Sequence, residues 1–160
     1  MTKTKPTTRI STARAKAVKA PPLAFEVELP LASDVAVARV TDGLKAEGFG
    51  VITRIDAHTV FHDKLGVAFR PYTILGACNP KLAHEALSLR PEVGLLLPCN
   101  VTVEHAGDRL SIVRILDPGA MVRLGGLERD TEIAALMKDA RDRLLRVADE
   151  LRAHANTVSL

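Results

Sequence analysis

The sequence predicts one α/β domain, an α+β sandwich in which helices pack on a mixed sheet of about five strands. From residue 24 onward, segments with apolar residues at every second position alternate with segments at helical spacing. The resulting order is β-α-β-α-β-α-β-β-α. The chain has 160 residues and 47% hydrophobic content, enough for one core, and few aromatics, so that core must be aliphatic.

Three strand-helix units form the first half of the domain. The predicted strands cover residues 24–29, 49–55 and 70–77. The helices that follow them are expected to start at Ser33 or Asp34, at Asp56 and at Asn79. Asn79 precedes Pro80, which combines a capping side chain with proline at the first helical position. This pair therefore predicts a helix start directly after the third strand.

The second half of the domain has a hairpin and a long helix. A strand over residues 93–104 is expected to pair with a strand over residues 110–116 across a turn. Pro98 removes one ladder donor from the first strand, which favours an edge position or a bulge there. A loop over residues 117–129 then leads into a final helix over residues 130–155, whose apolar stripe has helical spacing.

Charge is distributed unevenly along the chain. Residues 1–23 form a tail with six of the 22 basic residues and no acid, because the first acid is Glu26. The domain, residues 24–157, then has 16 basic against 19 acidic residues, a net charge of about −3. We therefore expect no nucleic-acid binding by the folded body.

The tail is rich in Thr, Ala, Lys and Pro, a composition that predicts disorder. Its charge is compatible with contact to anionic lipid, nucleic acid or an acidic partner, and its composition resembles a transit peptide. A solvated tail with no specific role is the simpler interpretation. The sequence has neither a secretory leader nor an apolar stretch of membrane length, so we expect a cytoplasmic protein, no membrane contact and reduced thiols.

Cys78 and Cys99 are the only two cysteines, and each stands in a Cys-Asn dipeptide beside an apolar run. If both sulfurs lie together, they could form a redox pair, bind a soft metal or pack as small apolar groups. Cys78 is expected just before a helix start, where the partial charge would lower its pKa and make it a candidate nucleophile. Asn79 would place free backbone donors nearby for an anion. Cys99 is expected on an apolar strand face, with Asn100 on the opposite face.

Two further pairs extend the candidate site. His58 and His62 are four residues apart on a predicted helix and would complete a tetrahedral Cys₂His₂ metal site with the two thiols. Against this, the cysteines lack the close C-x₂-C spacing of strong zinc motifs. Arg70 and Tyr72 alternate along a strand and could offer a cation and a hydroxyl to an anionic ligand. The alternative for that pair is a snorkelling arginine beside a half-buried tyrosine.

Five stretches of the chain together resemble one known family. They are residues 48–51, 64–67, 72–80 and 96–101, and the Asp117-Pro118 pair after the hairpin. At these residues the chain resembles the bacterial domain of unknown function 302, and the resemblance extends over about residues 25 to 155. It implies a compact α/β fold that is often assembled as a dimer. It implies no activity, so no catalytic residue is carried over.

The sequence leaves three functional hypotheses. The first is binding of a small ligand or metal at a site that includes Cys78, Asn79, Cys99 and Asn100, with Arg70 and Tyr72 as further ligand residues. The second is a thiol-dependent redox enzyme that uses Cys78. The third is a structural or regulatory homodimerisation domain whose cysteines are packed and inert. No substrate, reaction or cofactor follows from the residues.

Overall fold

The computed structural model describes residues 23–158, so the tail predicted for residues 1–23 lies outside the described residues except for Leu23. The strands are β1 (Ala24–Leu29), β2 (Gly50–Asp56), β3 (Tyr72–Cys78), β4 (Cys99–Gly107) and β5 (Leu110–Leu116). The helices are α1 (Ser33–Ala46), α2 (Ala57–Leu65), α3 (Pro80–Leu89), α4 (Pro118–Leu124) and α5 (Thr131–Val158). A 3₁₀ helix, Pro91–Leu96, lies between α3 and β4.

The α+β class and five strands are confirmed, and the predicted elements follow in the expected order. The sheet order is β1-β5-β4-β3-β2, and every neighbouring pair is antiparallel, so the prediction of a mixed sheet is wrong. The α2 connection between β2 and β3 illustrates why these strands are antiparallel. Asp56 at the end of β2 pairs with Thr73 at the start of β3, so the α2 connection returns the chain to the same end of the sheet. Such a return makes the two strands antiparallel.

Helices α1 and α5 cover one face of the sheet and share its core. The sheet contributes Val27, Leu29, Leu75, Val101, Val103, Val113 and Ile115 to that core. Because side chains alternate along each strand, the residues between these project from the opposite face. We call this second surface the open face. It carries Glu26, Glu28, Tyr72, Ile74, Asn100, Thr102, Glu104, Ile112 and Arg114.

The strand predicted over residues 93–104 is correct only from Cys99 onward. Residues 91–96 form the 3₁₀ helix, and a cis peptide bond joins Leu97 to Pro98 before β4 begins. Val93 and Leu96 are three residues apart and pack into a second cluster against Ile133 of α5. This spacing suits a 3₁₀ helix, in which residues three apart lie on one side, and Leu95, which lies between them on another side, is 88% exposed.

Helix α4 lies inside the segment predicted to be a loop. Its N-cap is Asp117, whose side chain accepts a hydrogen bond from the backbone N–H of Gly119 at 2.8 Å, and Pro118 follows. The same combination marks α3, where Asn79 Oδ1 accepts from the N–H of Leu82 at 3.2 Å as predicted. An acidic or amide cap followed by proline was therefore a helix signal at both positions.

The other two expected caps differ in detail. The N-cap of α1 is Ala32, and no side chain caps that helix, so the prediction of Ser33 or Asp34 is wrong. Asp56 occupies the N-cap position of α2, but its carboxylate accepts hydrogen bonds from Arg54 and Thr73 instead of the helix backbone. Of the helices within residues 23–158, none has the length and apolar character needed to cross a membrane.

Candidate functional site

The two cysteines line one small cavity beneath α3 and α5. Cys78 ends β3 and Cys99 begins β4, and Phe49, Leu82 and Met137 complete much of the wall. The cavity measures about 20 Å³. That volume accommodates about one water molecule, whereas pockets for small organic ligands usually measure at least ~300 Å³. The cysteine region in this conformation has no room for a small-molecule ligand.

The thiols are free, and they are not close enough to form the predicted pair. Burial raises the pKa of Cys78, which contradicts the expected lowering at the start of α3. Burial also raises the pKa of Cys99 to about 11, with a smaller contribution from Cys78. Removal from water disfavours the thiolate form, which is why the pKa of both thiols rises. Both thiols are protonated at neutral pH, which does not favour Cys78 as a nucleophile.

The two histidines lie away from the thiols. The backbone N–H of Tyr72 donates to His58 Nδ1 at 3.2 Å, so His58 is at the first residue of β3, whereas Cys78 is the last. Six residues of strand span roughly 20 Å. His62 is exposed beside Asp63, 3.3 Å from its carboxylate. Among residues 23–158 no set of three or more His, Cys, Asp or Glu side chains could hold a metal, so the Cys₂His₂ prediction is wrong.

The remaining predicted ligand residues divide between two places. Asn79 stays with the cysteines and lines their cavity. Tyr72 and Asn100 lie together on the open face, where they line a groove of about 280 Å³ with Thr102 and Arg114. Thr102 Oγ1 is buried there without a hydrogen-bond partner. The structure thus separates the predicted site into a thiol cavity and a polar groove.

Arg70, the last predicted ligand residue, belongs to a ladder of charges on the open face. Glu104 accepts hydrogen bonds from Arg70 Nε and from Arg114 Nη1, both at 2.5 Å. Arg114 Nε also donates to Glu26 at 2.7 Å. Burial alone would raise the pKa of Glu104, but the two guanidinium groups hold it below its ordinary value. Arg70 is therefore already paired with a carboxylate.

Sequence reasoning missed an exposed aromatic surface. Helix α2 and residues 66–71 form what we call the arm, in which only Ala57 is buried. The apolar positions of α2 are largely exposed, and Leu65 is 69% exposed. The Phe61 and Phe69 rings meet edge to face at 5.3 Å, and the Phe69 and Tyr72 rings lie 6.3 Å apart. No position within residues 62–70 is buried, and the helical spacing of the apolar residues in α2 did not signal this exposure.

Arg70 also contacts the aromatic surface. The Arg70 guanidinium carbon lies 4.6 Å from the centre of the Phe69 ring, within the range of a cation–π contact. Arg70 therefore connects the arm to the charge ladder through Glu104. The arm and the open face form one continuous surface at this end of the sheet.

The fold and these surfaces define a two-layer α+β domain whose helices cover one face of an antiparallel sheet. The chain belongs to the family described as Domain of unknown function DUF302, whose family model matches residues 25–151. The crystal structure of an uncharacterized conserved protein DUF302 from Bacillus stearothermophilus is similar to it, with a TM-score of 0.71 and 27% identity. That similarity covers 81% of this chain and 98% of the other. No curated protein matches the chain. The family resemblance seen in the sequence is confirmed.

Proposed function

We propose that this domain is a homodimerisation domain that binds a second copy through the open face and the arm, with Cys78 and Cys99 packed and inert. The observation that carries the proposal is the chain of aromatic contacts from Phe61 through Phe69 to Tyr72. The whole chain has four Phe and one Tyr, so three of its five aromatic residues lie in this surface cluster. Aromatic residues and arginine are enriched in the energetically dominant parts of interfaces.

The arrangement of the open face favours a second copy as the partner. One row across the sheet contains Glu26, Arg114, Thr102, Ile74 and Ile55, in register. Along this row the charged residues lie on β1 and β5, and the apolar residues lie on β3 and β2. A two-fold axis near the apolar half would pack that half on itself and surround it with charges of both signs. An apolar centre with a polar rim is the usual anatomy of a stable interface.

A second candidate function is small-ligand binding in the groove of the open face. The hydroxyl of Tyr72, the amide of Asn100 and the unpartnered Thr102 Oγ1 line this groove, whose volume approaches that of ligand pockets. The first hypothesis from the sequence, binding at the thiols, has less support because their cavity is about 20 Å³. A ligand in the groove and a second copy would compete for the same face.

Sedimentation velocity of the purified domain tests the dimer. An Ile74→Asp substitution places a charge in the apolar half of the open face, and we expect it to weaken association by roughly 100-fold or more. Leu95→Asp is the matched control, because Leu95 is exposed on the 3₁₀ helix that packs against α3. The control variant is expected to remain dimeric.

A wild-type protein that stays monomeric up to roughly 100 µM would overturn the dimer proposal. Equal dissociation of both variants would also overturn it, because the effect would then not belong to the open face. Circular dichroism and melting of each variant establish that the fold is retained. With a monomeric wild type, the groove of the open face becomes the leading candidate.

A further inference from the structure

A second groove lies in the helical layer, between α4 and α5. It measures about 260 Å³, and its walls include Gly119, Val122, Arg123, Met137, Lys138 and Arg141. We infer that this groove binds a small molecule with one anionic head, a phosphate or carboxylate, on a compact apolar body. The groove is separate from the open face, so a dimer formed there leaves it accessible.

Three cationic side chains converge on the groove, and they differ in what they already bind. Arg141 Nε lies 3.0 Å from Asp117 Oδ1, and Lys138 Nζ lies 2.6 Å from Asp142 Oδ2. Arg123 forms no ion pair with any residue in the range 23–158. Because a guanidinium has five N–H donors, Arg141 also retains donors beyond the one directed at Asp117. An anion in the groove could therefore accept hydrogen bonds from the remaining N–H donors of Arg123 and Arg141.

Arg123 and Arg141 both lie beside Gly119. A Cβ atom at this position would lie 3.5 Å from Arg141 Cδ and 3.6 Å from Arg123 Nη1. Both side chains therefore pass close to the same stretch of backbone at the start of α4. Asp117 Oδ1, 3.2 Å from the same Cβ position, offsets part of the repulsion between the two cations, and a bound anion would offset more of it.

Arg141 is also held in place on its other side. Its guanidinium carbon lies 5.3 Å from the centre of the Phe25 ring, and Asp117 is buried. A donor that is already oriented loses little conformational freedom when a ligand binds, which favours affinity. Arg141 would thus be the fixed contact for the head group, and exposed Arg123 the contact that closes over it.

The other residues that line the groove determine the size and polarity of the rest of the ligand. Val122, Ala134 and Met137 supply apolar surface, and Glu128 contributes an acidic side chain that forms no ion pair within the described residues. Met137 also lines the cysteine cavity, so one flexible side chain separates the two spaces. A volume near 260 Å³ fits a ring-sized molecule and excludes a nucleotide.

Calorimetric titration with phenyl phosphate, inorganic phosphate and benzyl alcohol tests the inference. We expect saturable binding of phenyl phosphate, weaker binding of inorganic phosphate and weakest binding of the neutral alcohol. Arg123→Gln should weaken phenyl phosphate binding by about 10-fold, because it removes a charged hydrogen bond. Arg123→Lys should keep part of the affinity. Arg129→Gln is the control, since Arg129 is exposed nearby but does not line the groove.

Absence of saturable phenyl phosphate binding by the wild type would overturn the site. Equal losses in Arg123→Gln and Arg129→Gln would overturn it as well, because they would indicate nonspecific attraction to basic surface. If inorganic phosphate binds as tightly as phenyl phosphate, the apolar part of the inference is wrong. These outcomes are independent of the oligomeric state, which sedimentation measures separately.

Discussion

Cys99 of β4 lies directly opposite Ala77 of β3, one residue out of step with Cys78. Strand alternation then places Cys99 on the helix-covered face, where it is 5% exposed. Cys78 ends its strand beside Gly50 of β2. The two cysteines thus line one cavity but differ in burial, since Cys99 is buried and Cys78 is only partly so.

Alkylation should distinguish packed thiols from reactive ones. At pH 8, we expect iodoacetamide to label Cys99 only after unfolding, and to label Cys78 more slowly than a cysteine in the denatured chain, because burial raises both pKa values. Intact mass after timed labelling measures both rates, and Cys78→Ala and Cys99→Ala variants assign them. Labelling of native Cys78 faster than in the denatured chain would restore the redox-enzyme hypothesis.

Stability should fall in alkaline solution because of Cys99. Its thiol pKa rises from an ordinary 9.0 to about 11 on folding, so the folded state keeps a proton that the unfolded state loses. This contribution to the free energy of unfolding is complete below about pH 9 and is lost as pH rises to about 11, by about 2–3 kcal/mol. Urea unfolding at several pH values measures the slope. The free energy of unfolding should decrease less with rising pH in Cys99→Ala. An unchanged decrease in that variant would show that groups other than Cys99 cause it.

Gly76→Ala should destabilise the centre of the sheet. A Cβ atom there would overlap Thr53 Oγ1 and lie 2.7 Å from Pro98 Cγ, and the proline ring has little freedom to move. Overpacking of this kind lowers the free energy of unfolding by about 1–3 kcal/mol. Gly50→Ala is the control, because the nearest atom to its Cβ, the Cys78 carbonyl oxygen, lies 4.0 Å away. Equal unfolding midpoints for the two variants would contradict the close packing of Pro98 on Gly76.

Asp117 should stabilise the domain chiefly as a helix cap. Asp117→Ala removes the acceptor for the Gly119 N–H and the ion pair with Arg141, and we expect a loss of about 1–2 kcal/mol. Asp117→Asn keeps an N-cap acceptor and loses only the ion pair, which is half-exposed on the arginine side, so its loss should be smaller. Thermal melting compares the two. Equal losses in the two variants would mean that the ion pair dominates, because Asp117→Asn retains the cap acceptor.

Local signals predicted much of the fold. The Asn79-Pro80 pair marked the start of α3, and the strand alternation correctly put Cys99 and Asn100 on opposite faces, because caps and strand periodicity depend on adjacent residues. The same rule applied to Asp117-Pro118 would have found α4. The 3₁₀ helix was missed because Leu95 and Leu97 continue the strand pattern, although Leu95 is exposed.

The candidate site was less predictable, because it depends on distances between elements. Tyr72 and Asn100 were both selected from the sequence, but only the pairing of β3 with β4 shows that they line one groove. His58 and Cys78 were assigned to one metal site and lie at opposite ends of β3. Arg123, Lys138 and Arg141 were not selected at all, and the segment that contains Arg123 was predicted to be a loop. Their convergence follows from the packing of α4 on α5.

By itself, the sequence determined the class of the fold, the order of its elements and the family, because each depends on local periodicity, caps and short motifs. Only the tertiary structure decided that the sheet is antiparallel, that Cys99 faces Ala77, and that the arm leaves Phe69 exposed. Those features depend on which strands pair, in which register, and which helix covers which face. Such choices minimise the free energy of the whole chain, and no short segment encodes them.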